Sequence, residues 1–392
     1  MEDIPSGCID VTDLRYRSSP YPTLDCTVPG LSQEAFDRNW QPKATSLMCI
    51  DSVTRKYVIF RPLSASKSNA YTHTSTNEER EAALNSSSNT ENNNPSEKVI
   101  PRAHEGKIVS SIAEMTQSKD ADDNQTFIDW RRLSRERMAF GSATEFTMSR
   151  ALYDPDVPKG RLDFRFTLAY VGSCTVTHRT EFFALGKGGS KVRLWSNTYQ
   201  LVMVDKETRQ PTKVPQWFLD EYQGRGCTNQ PLVIRPFRKP SRTYCHPVLV
   251  QWSDTDEFGH ATWSSYVHWA IDGLHAALLS RPTEGGSKTT DQQHQEAKSA
   301  GAVRRSDTPK RAGAVRGSNA LRGITSGTLK RGLAKFQTCY FKECLEGERV
   351  EVHIWQEGEA EEVFCSILRA GEEVSQVKLV YFTDEDEEEE GF

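Results

Sequence analysis

One stretch of this sequence is apolar on nearly every side of a helix, which limits what the chain can fold into. In Thr262–Leu279, TWSSYVHWAIDGLHAALL, apolar residues recur at steps of three and four, the period of an α-helix. Trp269 widens the apolar face until little polar surface is left to face water. Other structure must therefore enclose this helix, and we expect a sheet wrapped around it.

The same order of elements occurs in both halves of the chain. A second helix is predicted at Ala44–Ile59, and a charged helical segment at Phe127–Ala139. Alternating apolar residues predict strands in both halves: Glu145–Arg150, Phe164–Tyr170, Thr175–Phe183 and Val192–Asp205 in the first, and Pro247–Trp252, Ala334–Lys342, Arg349–Trp355, Glu362–Leu368 and Val374–Tyr381 in the second. This repetition indicates an internal duplication and an α+β fold of two units, each an antiparallel sheet around one helix.

Changes in composition set the expected boundaries. Segments rich in polar residues and poor in large apolar ones are predicted to be disordered, because they cannot bury enough surface to offset the entropy of ordering. A Pro- and Arg-rich linker is expected to run extended along the surface. In chain order, we expect a first unit at 20–218 with an insertion at 64–104, a linker at 219–243, a second unit at 244–383 with an insertion at 283–317, and an acidic tail at 384–392.

Charge and cysteine content exclude several classes of protein. The formal net charge is −5, and removing the seven acids of the tail leaves a body of +2, which argues against a nucleic-acid-binding protein. No apolar run is long enough for a transmembrane helix. The nine cysteines form no CxxC pair, so no metal site is expected. The acidic N-terminus lacks the features of a signal peptide or presequence, and we expect a cytoplasmic protein.

A cluster of reactive side chains stands directly before the apolar helix. Asp254, Asp256 and His260 lie within seven residues of one another. The start of a helix offers unpaired N–H groups and a partial positive charge, which can hold an oxyanion. A carboxylate beside them can attack a carbonyl group or activate water to do so. Gly259 lets the backbone approach a substrate closely, and we expect the substrate carbonyl to lie against N–H groups near Gly259–Ala261.

These residues resemble a known signature. The stretch from Asp254 to Trp269 is similar to the DxDxxxHxxxxxYxxW pattern of hotdog-fold thioesterases, including the 4-hydroxybenzoyl-CoA type and the acyl-ACP thioesterases. Downstream, Tyr340-Phe-Lys-Glu-Cys344 resembles the YRREC motif of the acyl-ACP thioesterases. The resemblance implies two tandem hotdog domains, each an antiparallel sheet wrapped around a central helix.

The resemblance also implies roles for individual residues. Asp256 matches the catalytic aspartate, as nucleophile or general base, and His260 matches the histidine that orients or helps to activate water. Glu343 matches the glutamate of the YRREC motif, a second candidate base. Cys344 matches the adjacent cysteine, but its acidic neighbour does not stabilise a thiolate, and we expect no catalytic role. The residues expected to contact substrate are Gly259, Ala261, Thr262, Trp263 and Tyr266.

The sequence departs from the acyl-ACP enzymes at Phe258, where they have an asparagine, and this favours an acyl-CoA enzyme or an altered relative. In the first half, we align Asp51 with Asp272 along the two helices. This alignment places Asn39 at the position of the histidine and Asp37 at that of the phenylalanine, and leaves no aspartate at the catalytic position. The first unit is therefore expected to be catalytically degenerate and to line an acyl pocket.

Each of these residues also has a purely structural interpretation. The two aspartates can be a turn and helix-cap pair, His260 a helix-end residue and Glu343 an exposed strand residue, whereas His178 and His353 are expected to pack within strands or lie at the surface. The aromatic residues of the helix are expected in the core or in a pocket wall. The basic residues of the linker are expected to be solvated, with contacts to coenzyme A phosphates as the alternative: Arg225, Arg235, Arg238, Lys239 and Arg242.

The leading hypothesis is a thioester hydrolase without cofactor that acts on acyl-CoA or an acyl-carrier-protein thioester and releases a free fatty acid. One alternative is a non-catalytic protein that binds acyl-CoA or lipid, or acts as a scaffold. A weaker alternative is an enoyl-thioester hydratase, which the DxDxxGH layout fits poorly. Further association into a homodimer stays open.

Overall fold

The structure is a computed structural model that describes residues 11–32, 35–37, 42–60, 126–186, 189–256, 259–281, 320–357 and 361–384. Both predicted insertions and the acidic tail beyond residue 384 lie outside the described residues. None of the described helices is both long enough and apolar enough to span a membrane.

Both halves of the chain contain one long helix and a run of strands. The first half consists of β1 (Thr12–Arg17), β2 (Thr23–Val28), α1 (Ala44–Phe60), α2 (Trp130–Glu136), β3 (Met138–Met148), β4 (Leu162–Val171), β5 (Thr175–Leu185), β6 (Lys191–Val204) and α3 (Gln216–Tyr222). The second half consists of β7 (Tyr244–Leu249), α4 (Trp263–Leu279), α5 (Ser326–Arg331), β8 (Leu333–Tyr340), β9 (Arg349–Trp355), β10 (Glu362–Arg369) and β11 (Glu372–Tyr381).

The strands form a single sheet of eleven strands in the order β1-β2-β4-β5-β6-β3-β8-β11-β10-β9-β7. All neighbouring strands are antiparallel. The two halves meet where β3 pairs with β8, and there the stacked rings of Phe146 and Phe336 lie 4.9 Å apart. The strand order is repeated, since β3, β6, β5 and β4 follow one another in the first half as β8, β11, β10 and β9 do in the second.

The helix α4 packs most of its surface against the sheet but keeps one exposed stripe, on which His268, Asp272 and His275 lie, so the expectation of almost no polar face is wrong. Its buried residues form one broad face, on which Tyr266, Trp269 and Leu274 are all nearly inaccessible. Gly273 permits close packing on the sheet, because a Cβ atom there would lie only 2.5 Å from the Cδ1 atom of Ile354. The α+β class, with an antiparallel sheet around a central helix in each half, is therefore confirmed.

Some predicted elements differ from the observed ones. The helical segment predicted to run to Ala139 ends at Glu136, and Met138 begins β3. The reason is tertiary, because β3 is paired on both sides, with β6 and β8, and this pairing outweighs the local helical preference. The strand predicted at Pro247–Trp252 is β7, displaced toward the N-terminus. Pro247 is tolerated there because β7 is an edge strand.

Residues 223–243 contain no helix or strand and run over the outer face of the sheet. The backbone N–H of Cys227 donates to Leu168 in β4, 3.0 Å away. Farther along, the Phe237 N–H donates to Gln376 Oε1 in β11, at 3.1 Å, and the Phe237 ring packs on Trp355. The segment therefore crosses from one half of the sheet to the other.

The interior of the first half contains a buried ionic cluster. The Asp51 carboxylate of α1 accepts hydrogen bonds from Thr180 Oγ1 and from Asn197 Nδ2, the latter at 2.9 Å. Arg55 lies one turn on, with its Nε atom 3.9 Å from Asp51 Oδ2 and its guanidinium 4.3 Å from the centre of the Tyr199 ring. Burial raises the pKa of Asp51, and the charge of Arg55 opposes that rise.

We expect the substitution Asp51→Ala to lower the free energy of unfolding by about 3–5 kcal/mol, because it leaves the Arg55 charge buried without its partner. Denaturant unfolding followed by circular dichroism measures the change. Asp272→Ala is the matched control, since Asp272 is exposed on α4 and its carboxylate lies 3.3 Å from the equally exposed His268, so its cost should stay within about 1 kcal/mol. Equal costs for the two variants would contradict the role assigned to the cluster.

Candidate active site

The loop before α4 folds back on itself and brings the two principal candidates together. Thr255 and Ala261 form an antiparallel bridge, and the Asp256 N–H donates to the His260 carbonyl at 2.8 Å. Gly259 has a φ angle of +73°, in the left-handed region that favours glycine, and so allows the tight turn. Asp254 caps the preceding turn, with its Oδ2 accepting from the Gln251 N–H at 2.8 Å.

The half-buried Asp256 side chain lies at the wall of a surface cleft. The Oδ1 atom accepts a hydrogen bond from the His260 backbone N–H at 3.2 Å. The cleft has a volume of about 470 Å³ and is open to solvent. The residues that line it are Trp252, Ser253, Thr255, Asp256, Gly259 and Glu346.

Glu343 approaches the loop from the segment that follows β8. Its Oε1 atom lies 3.6 Å from His260 Nδ1, and the two side chains are 43% and 20% exposed. An antiparallel bridge between His260 and Leu345 holds the two segments in this register. The structure therefore brings Asp256, His260 and Glu343, the three predicted catalytic residues, into one neighbourhood.

Arg209 is part of this site, and the sequence analysis did not identify it. Its Nη2 atom lies 3.2 Å and 3.5 Å from the two carboxylate oxygens of Glu343. Arg209 lies in the turn after β6, so a cation from the first half contacts a carboxylate of the second. No motif in the sequence marks Arg209, because it is separated by 134 residues from its partner.

The loop N–H groups that we expected to bind a substrate oxyanion are already engaged. The N–H of Gly259 donates to the Asp256 carbonyl at 3.0 Å, and that of Ala261 to the Cys344 carbonyl at 2.8 Å. With His260 bonded to the Asp256 carboxylate, none of the three is left for an oxyanion. The prediction of donors near Gly259–Ala261 is therefore wrong, because the loop closes on itself and on the segment after β8.

The start of α4 has backbone N–H groups that can bind an oxyanion instead. Thr262 precedes the helix, and its side chain makes no capping bond to the helix backbone. Its Oγ1 atom instead lies 2.9 Å from Ser264 Oγ and 2.8 Å from Ser265 Oγ. The first N–H groups of a helix have no acceptor within the helix. That of Ser265 donates to the Thr262 carbonyl at 3.0 Å, whereas those of Trp263 and Ser264 face the start of the helix and can accommodate an external acceptor.

Two of the expected substrate contacts pack inside the protein instead of lining the cleft. The Trp263 ring lies 5.6 Å from the Tyr199 ring, and its carbonyl accepts a bond from the Tyr340 hydroxyl at 3.2 Å. Tyr266 is buried and donates to the Lys342 carbonyl at 3.2 Å. Trp263 thus joins the two halves of the protein.

Cys344 occupies a buried position beside Tyr266. Burial raises the pKa of the Cys344 thiol, which is the opposite of what a nucleophilic cysteine requires. Its contribution to the site is structural, since its carbonyl holds the Ala261 N–H.

A matching loop precedes α1 in the first half. Phe36 and Pro42 form an antiparallel bridge like that of Thr255 and Ala261. The Lys43 N–H donates to the Ala35 carbonyl at 2.8 Å, as the Thr262 N–H does to the Asp254 carbonyl at the same distance.

This register overturns our alignment of the two halves. It places Asp37 at the position of Asp256, whereas the alignment of Asp51 with Asp272 left no aspartate there. The backbone bridges fix the correspondence, and Asp51 then corresponds to Ala270 instead. Asn39, which we aligned with the histidine, and Phe258 both lie outside the described residues.

Other predicted positions are also located. His178 is buried and packs between aromatic rings, as expected for a strand residue, and burial followed by the Arg55 charge lowers its pKa well below the usual value. Among the linker cations, Arg225 pairs with Glu221 at 2.6 Å.

Comparison with known proteins gives similarities of fold only. No protein-family model matches the sequence, and no curated protein matches it significantly. Among solved structures, a protein of Lactobacillus plantarum with a provisional assignment as an oleoyl thioesterase has a TM-score of 0.49 and 14% identity, and the match covers 93% of this chain and 98% of the other. The 12:0-ACP thioesterase of Umbellularia californica has a TM-score of 0.48 and 10% identity, with 92% and 97% covered.

A MaoC-like dehydratase of Phytophthora capsici has a TM-score of 0.37 and 12% identity, with 64% of this chain and 70% of the other covered. Likenesses at this level identify no activity. The strand order and the central helices of this chain are themselves those of two hotdog units joined side by side.

We expect Cys344 to react with a thiol-alkylating reagent more slowly than Cys49, which is exposed on α1. Each unit of increase in thiol pKa lowers the reactive thiolate fraction about tenfold, and burial also restricts access. Brief alkylation of the native protein, followed by mass spectrometry of its peptides, gives both rates in one sample. Similar rates would show that Cys344 is open to solvent and reactive.

Proposed function

We propose that this protein hydrolyses acyl thioesters, with Asp256 as the general base or nucleophile. The observation that carries the proposal is that Asp256 lies at the wall of a cleft and bonds the backbone of His260, whose side chain is in turn close to Glu343, a residue distant in the sequence. These three residues also match the thioesterase motifs that the sequence resembles.

In the proposed reaction, a water molecule attacks the thioester carbonyl carbon and gives a proton to the Asp256 carboxylate. The carbon–sulfur bond then breaks, and the departing thiolate receives that proton. In the covalent version, the carboxylate itself attacks, and water hydrolyses the resulting anhydride. Either route yields a free acid and a thiol.

The supporting residues have distinct proposed roles. His260 and Glu343 orient the attacking water through their side chains, which lie 3.6 Å apart. The N–H groups of Trp263 and Ser264 hold the oxyanion, because they stand at the positive end of α4, a helix of 17 residues. Arg209 positions Glu343 by pairing with both of its oxygens.

The proposed substrate is an acyl-CoA or an acyl-carrier-protein thioester, with a fatty acid as product. One observation favours a second candidate function, the binding of acyl-CoA without hydrolysis. The loop N–H groups of residues 259–261 are all engaged, so an oxyanion has no ready partner at the place where the motif suggested one.

We expect Asp256→Asn to reduce the rate of thiol release from acyl-CoAs by roughly 10²–10⁴-fold, the contribution of a general base. A colorimetric thiol assay over a series of acyl chain lengths measures the rate. Asp272→Asn, an exposed aspartate of α4, is the control and should keep full activity.

Three outcomes decide between the candidates. Full activity in Asp256→Asn would refute its role. Saturable binding of acyl-CoA, with no thiol released at any chain length, would select the binding protein. Loss of enoyl-CoA absorbance without thiol release would select a hydratase.

We expect Arg209→Ala to lower kcat by about tenfold, the effect of roughly 1.4 kcal/mol, because Glu343 loses the cation that positions it. Arg209→Lys should recover part of the loss, since it keeps the positive charge on a shorter side chain. Steady-state kinetics on both variants test this. A change in KM alone would instead assign Arg209 to substrate binding.

A further inference from the structure

A second group of reactive side chains lies at the edge of the sheet, on the outer face of β7 and β9. Cys245 stands directly opposite His353 in the antiparallel register. Glu351 precedes His353 by two residues and so points to the same face of β9. One candidate ligand atom from each of these residues lies within 4.8 Å of those of the other two.

The imidazole of His353 is oriented by the segment that crosses the sheet. Its Nδ1 atom lies 2.9 Å from Thr243 Oγ1, and its Nε2 atom 3.5 Å from Glu351 Oε2. When the hydroxyl accepts the Nδ1 proton, the Nε2 lone pair on the side of Glu351 is available to a metal ion. A hydrogen bond that fixes the second ring nitrogen in this way is typical of metal-binding histidines.

We propose that Cys245, Glu351 and His353 bind a thiophilic divalent metal ion such as Zn²⁺. A thiolate, an imidazole and a carboxylate are ligands that zinc accepts, at roughly 2.0–2.3 Å. Tetrahedral coordination at those lengths needs ligand atoms about 3.5 Å apart. Cys245 and Glu351 are both exposed, which leaves their side chains free to rotate toward the imidazole. The fourth position is left to water or to another ligand.

Metal binding displaces the thiol proton of Cys245 to solvent and leaves the thiolate bound to the ion. The imidazole of His353 coordinates in its neutral form, and the Glu351 carboxylate supplies a further negative charge.

Cobalt titration of the full-length, metal-free protein tests the site, because a thiolate bound to Co²⁺ gives a charge-transfer absorption band. We expect one ion per chain, the band in the unaltered protein, and its loss on addition of Zn²⁺. The band should disappear in Cys245→Ser and persist in the control Cys49→Ser, which removes another exposed thiol. Thr243→Val should weaken binding by about 10–100-fold, as a lost ligand-orienting contact does.

A further variant is expected to raise the affinity for the metal ion instead of lowering it. Lys239→Met removes a positive charge beside the site, so we expect it to bind Co²⁺ more tightly than the unaltered protein. No band in the unaltered protein, or a band that survives in Cys245→Ser, would overturn the proposal. The thiol-release assay is independent, so failure of this site leaves the proposed hydrolysis unaffected.

Discussion

The burial of the broad apolar face of α4 is the constraint on which the rest of the second half depends. Tyr266, Trp269 and Leu274 lie on that face, which would expose a large apolar area to water if the sheet did not cover it. The sheet curves around α4, and the start of the helix is thereby fixed beside the segment after β8. The loop before the helix is then tied from both ends, through Ala261 to Cys344 and through His260 to Leu345.

The candidate site depends on both halves of the protein. Asp256 and His260 come from the loop, Glu343 from the segment after β8, and Arg209 from a turn of the first half. Trp263, the first residue of α4, packs against Tyr199 of the first half. The first half therefore contributes residues to the candidate site in the folded protein.

The two halves have diverged more in chemistry than in backbone. Both have a helix of 17 residues preceded by a loop with the same bridge and the same hydrogen bond, and this puts Asp37 in the place of Asp256. The interiors differ, because α1 buries Asp51 and Arg55 where α4 has apolar residues. Loss of either partner of a buried ion pair is costly, so neither Asp51 nor Arg55 can be replaced alone without a large loss of stability.

The sequence by itself determined the two central helices, most strands of the sheet and the catalytic candidates. Helical and strand periodicity are local properties, and Asp256, His260 and the YFKEC stretch are contiguous motifs. It did not determine which residues of the two halves correspond. The alignment of Asp51 with Asp272 was wrong, because backbone bridges that the sequence does not reveal fix the correspondence. Nor did it indicate the engaged N–H groups of the loop.

Only the tertiary structure brought Arg209 to Glu343, and Cys245 to His353 and Glu351. Strand pairing joins Cys245 to His353, and a side-chain ion pair joins Arg209 to Glu343, each across more than a hundred residues, and no local spacing encodes either contact.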